Sequence, residues 1–170
     1  MTYLLDSSVF IQAKNQYYGM DFVPGFWDWL IRSFQNGMLI SLDSVLADEL
    51  EPRGDEVSIW GAAHKDLFHP MDAPALTSMK LVAAWATDPA RNYLQFAQSD
   101  FLAKVDSQLV AYAHAHALTV VTQEESKPES KKVIKIPDAC KALQVPCMDT
   151  FKILRTEHAR FVLSDDHAEV

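Results

Sequence analysis

Near its N-terminus the sequence reads Tyr3-Leu4-Leu5-Asp6-Ser7-Ser8-Val9, and this stretch gives the first indication of the fold. A short apolar run that ends in Asp and two Ser is typical of a buried strand that passes directly into a helix, with a Ser as the helix N-cap. In an open parallel sheet, ligands bind beyond the carboxyl ends of the strands. Asp6 therefore lies where a functional residue is expected.

Strand-like and helix-like segments alternate along the rest of the chain. The clearest further strand is Leu118-Thr119-Val120-Val121-Thr122, which is apolar and β-branched. The other predicted strands cover residues 38–41, 133–136 and 147–148. Helices are predicted over residues 24–36, 43–50, 100–117 and 150–159, with two or three more within 55–98 and another that begins at Pro137-Asp138. This alternation predicts an α/β fold with a central, mainly parallel sheet and helices on both faces.

Length and composition indicate one globular domain. The chain has 170 residues, of which 49% are hydrophobic and 22% are charged, and these values are typical of a folded domain. Because no internal repeat or linker is present, we expect a single domain over residues 1–163. An acidic tail over residues 164–170 is expected to fray. Residues 55–98 match no motif, and the sequence does not distinguish whether they form a lid, a dimer surface or additional packing.

The cysteines and the N-terminus favour a cytoplasmic protein. Cys140 and Cys147 are too few for a disulfide framework and lack the paired short spacings of a zinc site. The N-terminus reaches Asp6 without a basic segment, so no signal peptide is expected. No apolar run approaches the ~20 residues that span a bilayer, and we expect no membrane contact.

The charge balance restricts the functional classes. The chain has 15 basic and 23 acidic residues and a net charge of −8, which argues against a protein that mainly wraps nucleic acid. An enzyme whose bound cation meets the phosphate is not excluded. Four lysines lie close together in the sequence and either guide a nucleic-acid backbone or form a solvated loop; these are Lys127, Lys131, Lys132 and Lys135.

Four acidic residues lie at positions that favour a shared site. Asp6 and Glu124 follow the ends of two predicted strands, and Asp106 lies near the start of the helix that leads into the second strand. Glu49 lies in a helix whose neighbouring residues are apolar, although Asp48 competes for its role. Carboxylates within about 4–6 Å raise one another's pKa, and a hard divalent cation removes that penalty. The ordered set therefore predicts a cation site, although each acid alone has an ordinary structural explanation.

Three further polar residues are secondary candidates for the same site. Ser8 and Thr122 could hydrogen-bond the acids or a cation-bound water, or they could simply form a cap and a strand end. Asp138 could serve as a fifth acid near the site.

In their order, these motifs resemble the PIN-domain nucleases and their VapC-like toxin relatives. That family has a hydrophobic first strand ending in Asp-x-Ser, a mid-chain helix Glu, an Asp leading a later helix, and a strand ending in Thr-x-Asp. The matching segments here are residues 3–9, 45–50, 106–113 and 118–124. Residues 136–140 through 151–155 are also similar to a less characterised bacterial PIN-like family of about this length. The resemblance covers most of the chain.

The resemblance implies a three-layer α/β/α sandwich that acts as an endoribonuclease with Mg²⁺ or Mn²⁺. The implied ligands and catalytic residues are Asp6, Glu49, Asp106 and Glu124. Such proteins are often the toxin of a bacterial type II toxin–antitoxin pair, so the implied partners are RNA, an antitoxin and a second copy of the chain. One position departs from the family, because Glu124 stands where Asp is usual and its longer side chain moves the ligand.

Two other functional readings compete with the nuclease. A phosphatase of the haloacid-dehalogenase type also uses an Asp after its first strand, but it has a second Asp where Ser8 stands here. A non-catalytic binding module with the PIN fold is the other alternative, favoured by Glu124 and by the acidic surface.

Overall fold

A five-stranded parallel sheet forms the middle of the fold. The computed structural model describes residues 1–162. The strands are β1 (Tyr3–Leu5), β2 (Leu39–Leu42), β3 (Phe68–His69), β4 (Thr119–Val121) and β5 (Cys147–Met148). Their order across the sheet is β3-β2-β1-β4-β5, and every neighbouring pair is parallel. Strand β1 lies at the centre, where Leu4 pairs with Ile40 on one side and Val120 on the other.

The helices pack in two groups around this sheet. The α-helices are α1 (Ser7–Gln12), α2 (Pro24–Gln35), α3 (Glu56–Ala63), α4 (Ala73–Ala86), α5 (Gln95–Ala103), α6 (Val105–His116), α7 (Ile136–Ala142) and α8 (Thr150–Thr156). Two π-helical segments accompany them, Ala13–Tyr17 after α1 and Val45–Leu50 after β2. Helices α1 and α3 pack against the second π-helical segment, whereas α4, α5 and α7 pack around α6. The predicted three-layer α/β/α sandwich is confirmed.

The core is rich in aromatic side chains. Phe10 is fully buried on α1 and its ring lies 5.5 Å from Trp60, 6.1 Å from Phe68 and 6.4 Å from Phe34 between ring centroids. All three residues of β1 are buried as well, as expected for the central strand of a parallel sheet. The short apolar run that begins the sequence is thus covered on both faces.

The helix predicted for residues 100–117 is two helices, so its predicted continuity was wrong. Lys104 takes an extended backbone conformation between α5 and α6 (φ −97°, ψ 164°). The hydroxyl of Ser107 donates to the carbonyl of Lys104 at 3.0 Å, which stabilises the new helix start. The break places Asp106 in the first turn of α6.

The strand predicted for residues 133–136 is also wrong. Strand β4 pairs with β5 at its outer edge, and residues 133–136 pair with none of the described strands. It forms a loop that leads into α7, with Ile134 buried under it. The short edge strand β3 (Phe68–His69) was not predicted, because it lies within residues 55–98, for which only helices were expected.

Smaller differences concern the helix ends. Asp6, rather than a Ser, occupies the N-cap position of α1 in an extended conformation (φ −80°, ψ 157°). Helix α8 ends at Thr156 rather than near residue 159, and His158 beyond it takes left-handed backbone (φ 52°).

Over residues 1–162, no helix combines the length and apolar character needed to cross a membrane. The domain boundaries 1–163 stay a prediction, and the tail predicted for residues 164–170 lies outside the described residues.

The aromatic core generates a test of the packing. Phe10→Ala should lower the free energy of unfolding by about 3–5 kcal/mol, because a fully buried ring is lost and a cavity remains. The exposed Phe96, which is 59% accessible, provides the matched control, and Phe96→Ala should change stability by less than about 0.5 kcal/mol. Urea unfolding followed by circular dichroism measures both. Equal losses in the two variants would contradict the described core.

Candidate functional site

The candidate site lies at the carboxyl edge of the sheet between β1 and β4. From β1 the chain proceeds to β2 on one side of the sheet, and β4 and β5 lie on the other side. Such a reversal leaves a crevice outside the strand ends, where ligands bind in open α/β sheets. The backbone N–H of Asp6 donates to the carbonyl of Val121 at 2.9 Å, so Asp6 stands at the very end of the β1–β4 pair.

Asp6 is a buried carboxylate held by hydroxyl groups. Its side chain is 4% exposed. Thr122 Oγ1 and Ser8 Oγ both donate to Asp6 Oδ2, at 2.7 and 2.5 Å. The same hydroxyls accept backbone N–H groups from Glu124 and Gln123, so their protons are directed at Asp6. Burial raises the pKa of Asp6, and these hydrogen bonds partly oppose the rise.

Glu49 contributes a carboxylate with a free oxygen. It lies in the π-helical segment Val45–Leu50, and such segments are frequent at functional sites. Its Oε2 is buried and has no hydrogen-bond partner among residues 1–162. Burial raises the pKa of Glu49, and the charges of Asp6, Asp48 and Glu124 raise it further, while the Ser7 hydroxyl opposes. Asp48 itself is exposed, so Glu49 is the acid of this pair that faces Asp6.

Asp106 is a largely buried acid whose pKa also responds to the charges of the other three. Burial raises its pKa to about 7, and the charges of Asp6, Glu124 and Glu49 add to the rise. The ammonium of Lys104 opposes it only weakly, because that group is bound to Asp100 at 2.7 Å. Four acids from separate segments therefore lie within electrostatic reach of one another.

Glu124 differs from the other three because both its oxygens have partners. Lys135 Nζ forms an ion pair with Oε1, and the backbone N–H of Ile136 donates to Oε2 at 2.9 Å. This N–H belongs to the first turn of α7, where backbone donors have no partner within the helix. This pairing was not predicted from the sequence, which left Lys135 either to guide a nucleic-acid backbone or to lie in a solvated loop. The backbone N–H of Ile136, twelve residues after Glu124 and just before the helix start predicted at Pro137, could have indicated it.

Asp138, the proposed fifth acid, has a different environment. Its carboxylate accepts a hydrogen bond from the Ser126 hydroxyl and another from the Lys127 backbone N–H at 2.9 Å. Both oxygens are thus engaged in fixing the loop that follows Glu124. The structure gives Asp138 a role in holding this loop.

The acid cluster suits a hard divalent cation in its chemistry. Within the described part of the chain, no group of three or more His, Cys, Asp or Glu side chains is arranged to hold a metal as the structure stands. The donors are nevertheless all oxygens, one Glu49 oxygen is unpaired, and three acids have raised pKa values. A bound cation would relieve that repulsion. Metal binding by Asp6, Glu49, Asp106 and Glu124 stays a prediction.

The chain was compared with protein families, with curated proteins and with solved structures. A family model described as a domain of unknown function (DUF4411) matches residues 3–161. No curated protein matches the chain.

Two solved structures contain chains similar to this one. A chain in the crystal structure of FitAcB from Neisseria gonorrhoeae is 16% identical, with 86% of this chain and 96% of that chain covered and a TM-score of 0.49. A chain in the structure of FitAB bound to an IR36 DNA fragment is 14% identical, with 87% and 94% covered and a TM-score of 0.51. At this identity the likeness to the FitAB chain is one of fold alone.

The raised pKa of Asp106 predicts a pH-dependent stability in chelator. The unfolded chain releases this proton near pH 4 and the folded chain near pH 7, so wild-type stability falls as pH rises between those values. Asp106→Asn removes the penalty and should be more stable than wild type by about 1–3 kcal/mol at pH 8, with a smaller gain at pH 5.

Urea unfolding at the two pH values measures this effect. Asp28→Asn, at an exposed position on α2, is the control and should match wild type at both. An equal gain for Asp106→Asn at pH 5 and pH 8 would show that Asp106 does not titrate in this range.

Proposed function

The chain belongs to the family described as a domain of unknown function, DUF4411, and we propose that it is a metal-dependent endoribonuclease. The observation that supports this most strongly is the coupling of four carboxylates at the reversal point of the sheet, with one buried Glu49 oxygen that has no partner within residues 1–162. So many partly buried acids are costly unless something neutralises them. The resemblance to PIN-domain nucleases accounts for all four.

The residues have distinct roles in the proposed reaction. Asp6, fixed by Ser8 and Thr122, would be the principal ligand, with Glu49 and Asp106 beside it. When bound, Mg²⁺ or Mn²⁺ would neutralise the carboxylates and act as a Lewis acid towards the phosphate. Glu124, held by Lys135, would complete the site through water.

The proposed chemistry is hydrolysis of a phosphodiester. Asp106 would orient the attacking water and accept its proton at a carboxylate oxygen. The water oxygen forms a bond to phosphorus in line with the bond that breaks, and the 3′ oxygen leaves and takes up a proton. The products carry 5′-phosphate and 3′-hydroxyl ends, as in the family that the sequence resembles.

We extend the proposal to a biological role for the nuclease. The resemblance favours the toxin of a type II toxin–antitoxin pair in the cytoplasm, with an antitoxin segment near the acidic cleft and a possible second copy of the chain. FitAB, whose chain shares the fold, is bound to a DNA fragment in the solved structure. DNA therefore belongs beside RNA among the substrates to be tested.

Cleavage of single-stranded RNA with Mn²⁺, with Mg²⁺ and with chelator tests the nuclease directly. We expect cation-dependent cleavage that Asp6→Asn reduces about 100-fold or more, because the principal ligand loses its charge. Asp28→Asn should cleave as wild type does. A parallel assay with single-stranded DNA of the same sequence distinguishes the two substrates.

Normal cleavage by Asp6→Asn would remove Asp6 from the site. Absence of cleavage by folded wild-type protein under every condition would contradict the nuclease and favour the second candidate.

That second candidate is a non-catalytic binding module with the same fold. It is favoured by the engagement of both Glu124 oxygens, because Lys135 and the Ile136 N–H already bind one oxygen each. A module of this kind would keep the acid cluster without using it for hydrolysis.

Titration with Mn²⁺ followed by calorimetry separates the two candidates. Lys135→Ala removes a positive charge beside the cluster and should tighten Mn²⁺ binding by about threefold to tenfold, whereas Glu124→Gln should weaken it. Lys132→Ala, which changes an exposed lysine in the preceding loop, should leave the affinity within about twofold. Failure of wild type and Lys135→Ala to bind Mn²⁺ at millimolar concentration would favour the module.

A further inference from the structure

Two clefts share Lys141 as a lining residue, and one of them is lined by an acid of the cluster. One, of about 420 Å³, is lined by Thr122 and Glu124 from the candidate site and by Lys141. The other, of about 410 Å³, is also lined by Lys141. We call this second one the cationic cleft and define it by five of its lining residues, Trp85, Arg91, Tyr93, Lys131 and Lys141. Lys141 is therefore common to the cleft beside Glu124 and to the cationic cleft.

The cationic cleft concentrates positive charge in an acidic protein. The chain carries only 15 basic residues against 23 acidic ones, yet Arg91, Lys131 and Lys141 line this one cleft. None of the three takes part in an ion pair among the described residues. The acid that shares the cleft, Asp138, already accepts hydrogen bonds at both oxygens. The cleft thus offers three cations against the single carboxylate of Asp138, an excess of positive charge that favours an anionic ligand.

An aromatic ring lies among these cations. The ring of Tyr93 is half-buried and packs edge-to-face on Trp85, with 5.9 Å between centroids and an interplanar angle of 69°. Lys131 Nζ lies over the Tyr93 ring, 5.6 Å from its centroid. Cations beside an aromatic face are the combination that binds single-stranded nucleic acid, where phosphates meet the charges and a base stacks on the ring.

The walls of the cationic cleft are fixed by hydrogen bonds. The backbone N–H of Leu94 donates to the carbonyl of Lys131 at 2.9 Å, which joins the loop carrying Lys131 to the segment carrying Tyr93. Gln98 Nε2 donates to the carbonyl of Tyr93 at 3.0 Å. Asp138 holds the same loop further back, through Ser126 and Lys127. Such a surface loses little conformational freedom on binding.

We propose that the cationic cleft binds a nucleotide of a single-stranded polynucleotide, its phosphate on Arg91, Lys131 and Lys141 and its base against Tyr93. Duplex is disfavoured, because the bases of a duplex stack on one another and offer no free face to the ring. As a subsite next to the scissile phosphate this assignment rests on the proposed nuclease function, whereas the binding itself does not require cleavage.

Binding is measured by fluorescence anisotropy with labelled 12-nucleotide single-stranded RNA and DNA of one sequence, in chelator so that no cleavage occurs. Arg91→Ala with Lys131→Ala should weaken binding about tenfold or more and reduce the salt dependence by a slope of about 1.4, since each phosphate contact contributes about 0.7. The matched control is Lys65→Ala with Lys80→Ala, which removes two cations that line neither cleft. It should bind within about twofold of wild type.

The stacking contact needs its own variants. Tyr93→Ala should weaken binding about tenfold, and Tyr93→Phe should retain wild-type affinity because the ring remains. Thermal unfolding checks each variant, and if Tyr93→Ala does not fold, Tyr93→Leu takes its place.

Several outcomes would overturn the proposal: no binding by wild type at low salt, equal weakening by the control pair, tighter binding of duplex, or displacement of the oligonucleotide by an acidic peptide at lower concentration.

The nuclease proposal and the cationic-cleft proposal can fail separately. Binding that the variants weaken, without any cleavage by wild type, supports the cleft and contradicts the nuclease. Cleavage by wild type together with unchanged binding by the variants supports the nuclease and contradicts the cleft.

Discussion

The arrangement of the site depends on the hydroxyl groups that hold Asp6. A carboxylate that is 4% exposed would be costly to ionise without polar partners. Ser8 and Thr122 supply them from the two segments that meet at the end of the β1–β4 pair. Because the hydroxyl oxygens also accept backbone N–H groups, the geometry is fixed from both sides. The position of Asp6 then determines where the other acids must converge.

Of the three carboxylates around Asp6, only that of Glu124 is neutralised by a positively charged partner among the described residues. Glu49 and Asp106 stay largely uncompensated, and their pKa values rise accordingly. Glu124 instead has an ammonium and a helix N-terminal N–H as partners. The longer Glu side chain, at a position where the resembled family has Asp, reaches these partners beyond the strand end. The departure from the family pattern therefore comes with a compensating contact from Lys135.

Much of this layout could be predicted from sequence because it rests on local patterns. The apolar runs of β1 and β4 end in polar residues, and the order of strands and helices specifies a parallel sheet. Long-range pairing could not be predicted in the same way. Residues 133–136 have strand-like composition, but β5 is the strand that pairs with the outer edge of β4. The break at Lys104 and the pairing of Lys135 with Glu124 likewise depend on tertiary contacts, which no single-sequence periodicity contains.

The bond between Thr122 and Asp6 joins residues 116 positions apart in the chain. Closing so long a loop costs entropy, and parallel strands of this separation pair late in folding. During synthesis, Asp6 emerges long before the segment that fixes it. Until β4 has been synthesised and has paired with β1, the Asp6 side chain has no Thr122 partner and is solvated. The acid cluster consequently exists only in a chain completed past Glu124, and a ribosome-bound fragment lacks it.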